Sequence, residues 1–253
     1  MEKIYDFSSK RILVSGATGG IGSAVCRLLD RCGAALYLVD YAEDSLCKLK
    51  NNLCGINHEI MTADLSLVGE LEPKIKDLIQ KFGPVDGFVH CAGVGSVRPI
   101  NISKYEFMLN VMNINYFSFV EIIRCLTKKG QFNKGMNVVG ISAIGAYLGN
   151  STKTAYCASK AAMNSAVRCL AKELAPKGIR LNNVAPGVTN TTMASNFEAL
   201  GIDSKESKSI IERQYLGPCE PEDIADTVLF LLSDMSRKIT GSCICVDGGK
   251  LSC

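Results

Sequence analysis

Short, nearly continuous apolar runs alternate along this chain with longer stretches whose apolar residues recur at helical spacing. The strand-like runs are Arg11-Ile12-Leu13-Val14, Ala35-Leu36-Tyr37-Leu38-Val39, Asp86-Gly87-Phe88-Val89-His90, Met136-Asn137-Val138-Val139-Gly140-Ile141 and Ile179-Arg180-Leu181-Asn182-Asn183-Val184. A strand with one wet face alternates polar and apolar residues; these do not, so both of their faces need cover. Helices between them would supply it. The pattern predicts an α/β fold with a doubly wound parallel sheet flanked by helices on both faces, its ligand at the carboxyl ends of the strands. No repeat or Pro/Gly/Ser-rich linker divides the chain, and 253 residues fit a single domain, 1–253.

The first strand runs into Ser15-Gly16-Ala17-Thr18-Gly19-Gly20-Ile21-Gly22, which opens a helix reading Ser23-Ala24-Val25-Cys26-Arg27-Leu28-Leu29. Glycines between strand and helix permit a tight turn and let main-chain N–H groups approach a pyrophosphate. The second strand ends in Asp40, 20 residues beyond Gly20. An acidic side chain there accepts hydrogen bonds from an adenosine ribose. It also repels a 2′-phosphate, and the neighbouring positions Ala17, Thr18 and Tyr41 carry no positive charge. The cofactor expected is NAD, with NADP second.

Ala155-Tyr156-Cys157-Ala158-Ser159-Lys160 places a tyrosine and a lysine at i and i+4 on one helix face. A free phenol titrates near pH ~10, and a neighbouring ammonium favours the phenolate. That makes the pair a candidate for proton transfer at neutral pH.

Taken together these features resemble the short-chain dehydrogenase/reductase superfamily over essentially the full length, in the manner of its 3-oxoacyl-acyl-carrier-protein reductases and hydroxysteroid dehydrogenases. The fold this implies is Rossmann-like. The glycine motif matches Gly16, Gly20 and Gly22, and the adenine-edge motif matches Asp64-Leu65. The Asn-Ala-Gly motif appears as Cys91-Ala92-Gly93, and the helix asparagine matches Asn115. Pro186-Gly187, with Thr189 and Thr191 after it, matches the loop over the nicotinamide, and 239–249 matches the last strand. The resemblance implies interconversion of a secondary alcohol and a ketone, with Tyr156 as acid/base. Lys160 would hold the ribose and lower the tyrosine pKa, and Asn115 would anchor a water near Lys160.

The family's positioning serine is the point of departure. Ungapped from Tyr156, the slot holds Ala143; one extra residue in the following loop would place Ser142 there instead. Successive strand residues face opposite sides, so the two registers differ in consequence. Ser142 is the residue carried forward. With that slot open, an NAD-binding sensor or scaffold is the second reading, against which Tyr156, Lys160 and Asn115 together argue. A sugar-nucleotide epimerase ranks last, because those relatives carry a longer C-terminal substrate region.

The remaining composition mainly excludes. Net charge is +3, with no basic stripe interleaved with aromatics, so nucleic acid is not an expected partner. No apolar run is long enough to span a bilayer, and the N-terminus lacks a signal-peptide core, so a cytoplasmic protein is expected. The 12 cysteines show no Cys-x-x-Cys spacing, and only His58 and His90 join them, so no metal is expected. Cys26, Cys125 and Cys169 read as apolar filler, and Cys243 and Cys245 as strand residues.

Two long helices, 105–128 and Thr154–Leu174, carry Phe117, Phe119, Ile122, Ile123, Met163, Val167 and Leu170. Such broad apolar content points to a homo-oligomer, and the resemblance to a dimer or homotetramer. The substrate, a small alcohol or ketone, is expected between loops 94–99, 143–154 and 189–215. Tyr147, Leu148, Met193, Phe197, Leu200 and Tyr215 are candidate linings, and Arg98 a candidate contact for a carboxylate.

Overall fold

A computed structural model describes residues 5–95, 97–193 and 213–252. Phe197 and Leu200 of the expected loop 189–215 lie outside the described residues. Seven strands form one parallel sheet in the order β3-β2-β1-β4-β5-β6-β7. They are β1 (Arg11–Ser15), β2 (Ala35–Asp40), β3 (Glu59–Thr62), β4 (Val85–His90), β5 (Phe132–Ile141), β6 (Arg180–Pro186) and β7 (Cys243–Val246). The order reverses between β1 and β4, which makes the crevice at their carboxyl ends the place for a ligand.

The apolar runs lack alternation because both faces are covered. Leu13, Phe88, Val138 and Leu181 point to one side, onto Ile75, Phe119, Met163 and Val167. Ile12, Val14, Val89, Val139 and Val184 point to the other, onto Val25, Leu29, Ile224 and Val228. The covering helices are α1 (Gly20–Arg31), α2 (Glu43–Asn51), α3 (Leu71–Phe82), α4 (Tyr105–Met112), α5 (Ser118–Leu126), α6 (Thr154–Leu174) and α7 (Pro221–Leu232). Helix α7 begins with Pro221 in its first turn and a capping box in which Asp223 accepts from the Glu220 main chain at 2.8 Å.

The helix expected over 105–128 is interrupted. Asn113–Phe117 form a π-helical turn joining α4 to α5, and Asn115 lies inside it, fully buried. Single π turns re-aim side chains within a helix and occur often at functional sites. Of the apolar residues expected to need an outside partner, Phe119, Ile122, Ile123, Met163 and Val167 are buried within the chain itself. Phe117 is the one left exposed, at 41%. Cys26 and Cys125 are buried as filler, whereas Cys169 is exposed on α6. No helix among the described residues is long and apolar enough to cross a membrane.

Candidate active site

At the carboxyl end of β1 the chain turns through Gly16, whose φ is +66°. A Cβ on Gly16 would lie 2.5 Å from the Ala92 main chain, and one on Gly22 only 2.0 Å from the Gly16 carbonyl oxygen. Both positions therefore require glycine, and the turn closes onto the N-terminus of α1. A groove of about 570 Å³ runs over it, lined by Gly16, Thr18, Gly19, Gly20, Ile21 and Gly22. Asp40, Asp64, Leu65, Cys91, Ala92, Gly93 and Thr191 complete most of the wall. The bare glycine turn fits a pyrophosphate, since side chains on it would fill the space.

Asp40 is held firmly at this groove. Its carboxylate accepts from the Thr18 amide at 3.0 Å, the Thr18 hydroxyl at 2.6 Å and the Tyr41 amide at 2.8 Å. Asp64 is exposed at the far end, its carboxylate accepting from the Ser66 amide. Among the described lining residues there is no Lys or Arg, and there are two carboxylates, Asp40 and Asp64.

A second cavity, about 210 Å³, shares Ile21, Cys91, Gly93, Thr191 and Met193 with the groove. Tyr156 and Lys160 stand in it, on the first turns of α6. The Lys160 ammonium donates to the Ile141 carbonyl at 2.7 Å and lies 5.9 Å from the centroid of the Tyr156 ring. Burial lowers the Lys160 pKa to about 8. Burial also pushes the Tyr156 phenol up to about 12, with Cys157 adding to the effect. The lowering expected from Lys160 does not act on the phenol in the protein alone, and the phenol is protonated at neutral pH.

Asn115 binds the main chain of the β4 loop. Its amide donates to the Val94 carbonyl and the Ser159 hydroxyl, at 3.1 and 2.9 Å, and its oxygen accepts from the Val94 amide at 2.8 Å. A Cβ on Gly93 would meet Lys160 Nζ at 3.2 Å and Asn115 Oδ1 at 3.4 Å, so these two side chains converge on one glycine. Cys91 sits where the family carries asparagine; burial pushes its thiol up to about 12, so it is no thiolate here. Ser142 is 2% exposed, and its hydroxyl donates to the Lys160 carbonyl at 3.3 Å. Ala143 follows it, and both line the second cavity.

Pro186, Gly187, Thr189 and Thr191 form the opposite wall. Gln214, which the sequence did not single out, secures that wall: it accepts from the Val188 amide at 2.9 Å and donates to the Val188 and Gly217 carbonyls. Leu148 and Met193 line the second cavity as expected. Tyr147 and Tyr215 do not; they are 50% and 65% exposed, and Tyr215 lies against Gly249. Arg98 also stays outside, its guanidinium 3.8 Å from the centroid of the Phe107 ring. Lys153 and Lys250 are in the cavity instead, and neither carries a motif that would have marked it.

The one group of metal-type ligands among the described residues is Glu72, Glu121 and Cys125. Both of its carboxylates are paired with Arg124, and Glu72 also with Lys128.

Comparison with known proteins agrees with this geometry. A family described as enoyl-(acyl carrier protein) reductase matches residues 16–250. A 3-oxoacyl-(acyl-carrier-protein) reductase of Rickettsia felis is 34% identical, the match covering 98% of this chain and 99% of that one. An L-xylulose reductase of Caenorhabditis elegans is 32% identical, covering 97% of each. Among solved structures, a short-chain glucose/ribitol-type dehydrogenase/reductase from Brucella melitensis superposes with a TM-score of 0.88 at 28% identity, covering 97% of this chain and 98% of that one.

Proposed function

Because this chain belongs to the short-chain dehydrogenase/reductase superfamily and is an oxidoreductase of CH–OH and ketone groups, we propose that it interconverts a secondary alcohol and a ketone with NAD(H), using Tyr156 as the acid/base. One observation carries the reading. A glycine-floored groove opens directly into a cavity that holds Tyr156 and Lys160.

In this reading Gly16, Gly19, Gly20 and Gly22 accept the pyrophosphate, Asp40 the adenosine ribose, and Asp64 with Leu65 the adenine edge. Pro186, Gly187, Thr189 and Thr191 flank the nicotinamide. When bound, the cofactor supplies or accepts a hydride at the carbinol carbon. Tyr156 gives its phenolic proton to the carbonyl oxygen in reduction and takes one from the alcohol in oxidation. Its raised pKa suits the donor role, and positive charge beside it is what would bring the phenolate within reach for the reverse reaction. Lys160 would supply part of that charge and would hold the ribose hydroxyls. Asn115 fixes the Val94 loop and α6 against each other, which holds the Lys160 site in register.

Ser142 is assigned to tie β5 to α6 through the Lys160 carbonyl, and Ala143, which lines the cavity beside it, to the slot that carries serine in the family. The acidic groove free of Lys and Arg among its described residues supports NAD over NADP. The eleven free thiols among the described residues suit a reducing cytoplasm. Exposed Phe117 on the α4–α5 helix supports a homo-oligomer, with a tetramer as the family's form.

A turnover screen tests the reading. Purified protein is offered secondary alcohols and ketones with NAD(H) and, separately, NADP(H). Reaction faster with NAD(H) is expected; no reaction of any class with either cofactor overturns it.

A further inference from the structure

We propose that Thr18 is a positioning residue for the cofactor. By holding the Asp40 carboxylate it leaves one acceptor, which takes a single hydroxyl of the adenosine ribose, and it fixes the preference for NAD(H) over NADP(H). This rests on the NAD(H) reading above and adds to it the residue that enforces the preference and the ribose atom that is read.

The end of β2 is fixed from both sides. The Ala17 amide donates to the Val39 carbonyl at 3.2 Å, and the Ala63 amide to the Asp40 carbonyl at 2.8 Å. With the main chain held, only the side-chain torsions of Asp40 remain to be set. Thr18 sets them with two hydrogen bonds to one oxygen. Its amide donates to Asp40 Oδ2 at 3.0 Å and its hydroxyl to the same atom at 2.6 Å. The Tyr41 amide donates to the other oxygen, Oδ1, at 2.8 Å.

A carboxylate offers about four acceptor positions. The protein takes three of them, both on Oδ2 and one on Oδ1. One is left, on Oδ1. Asp40 is 8% exposed and lines the groove, so little of the carboxylate meets water anywhere else. The adenosine ribose of NAD has two neighbouring hydroxyls, and a carboxylate held in this way accepts from only one. The 2′-hydroxyl is the one that an acidic residue at the end of this strand accepts. The same hold acts against a 2′-phosphate. To swing away from that like charge, Asp40 would have to leave two charge-assisted hydrogen bonds to Thr18 at once.

The Thr18 hydroxyl is not needed to shape the glycine turn. The Gly19 amide donates to the Gly16 carbonyl at 3.1 Å and the Ser23 amide to the Gly19 carbonyl at 2.8 Å, so main-chain bonds close it. The one proton of the hydroxyl goes to Asp40. Removing it would leave Asp40 held by main-chain donors alone, with a second acceptor open on Oδ2 and the side chain free to turn.

Binding measurements test this without turnover. NADH and NADPH are titrated by fluorescence into the parent protein, Thr18→Val and Thr18→Ser, and ADP, 2′-deoxy-ADP and 3′-deoxy-ADP are competed against NADH. In the parent, 2′-deoxy-ADP should compete about tenfold more weakly than ADP, and 3′-deoxy-ADP within about twofold of it. Thr18→Val keeps the branched shape and loses the hydroxyl. Its preference for NADH over NADPH should fall by about tenfold, and loss of the 3′-hydroxyl should now cost about threefold or more. Thr18→Ser keeps the hydroxyl and should keep both parental patterns. Equal losses for the two deoxy nucleotides in the parent, or a larger loss for 3′-deoxy-ADP, overturns the proposal and leaves the NAD(H) reading intact. So does a Thr18→Val protein that weakens NADH and NADPH by the same factor, which would assign the threonine to the shape of the turn. A parent protein that binds neither NADH nor ADP overturns both readings.

Discussion

The Ser142 hydroxyl donates to the main-chain carbonyl of Lys160 at 3.3 Å, and no hydrogen bond links it to the Tyr156 phenol among the described residues. The serine therefore joins the end of β5 to the second turn of α6. Ser142→Ala should lower stability by about 1 kcal/mol, or a few degrees in Tm, and change kcat by less than about threefold. Ala143→Ser should instead raise kcat, because it adds a hydroxyl that can position a substrate oxygen. Thermal unfolding and steady-state rates on both variants decide the matter. A loss of roughly a hundredfold or more in Ser142→Ala would return the positioning role to Ser142.

Tyr156→Phe keeps the ring and removes only the ionisable oxygen. Turnover should fall by at least about a hundredfold, while NADH binding, followed by its fluorescence, stays within about twofold. Lys160→Ala should weaken both, since the same ammonium stands in the cavity with Tyr156 and is the group proposed to hold the cofactor's ribose. Near-parental rates in Tyr156→Phe would show that another group moves the proton.

Much of this was legible in the sequence, for reasons that differ by element. Strands β1, β2, β4, β5 and β6 are buried on both faces, so their apolar runs mark them directly. Strand β3 was not marked. It has four residues at the sheet edge with only Met61 buried, and distant groups hold the loop before it: Asp30 accepts from the Cys54 and Gly55 amides, and His58 bonds both Asp30 and the Leu36 amide. The glycine turn was legible because a Cβ at Gly16 or Gly22 is sterically forbidden. Lys153, Lys250 and Gln214 were not, because a lone lysine or glutamine carries no local signature and only tertiary packing brings these to the site. The Asn115 π turn changes no residue type, so periodicity alone read through it as continuous helix.

Asp40 and the groove around it give a cofactor prediction. The parent protein should bind NADH more tightly than NADPH by about tenfold or more, because the fixed Asp40 carboxylate meets the 2′-phosphate as a like charge. Asp40→Ala combined with Tyr41→Arg should narrow or invert that ratio. Superimposable NADH and NADPH titrations of the parent protein would remove the argument.

His90 makes stability sensitive to acid. The ring is fully buried at the end of β4, with Nδ1 2.8 Å from the Ser15 hydroxyl. Burial lowers its pKa from 6.5 to about 3, with the Lys160 charge adding to the effect. Between those values the unfolded chain binds a proton at this position that the folded chain refuses. Acid therefore favours unfolding across that window, and the stability held by the neutral ring is lost as pH falls below about 6.5. By pH 5 the loss from this one group is on the order of 2 kcal/mol. His90→Leu removes the titration and retains the volume. It should cost about 1 kcal/mol at pH 7, where the Ser15 hydroxyl loses its partner, yet show a shallower decline than the parent between pH 6.5 and 4. Denaturant unfolding at several pH values measures both slopes. Parallel curves for the two proteins would mean that His90 takes up its proton in the folded state as readily as in the unfolded one.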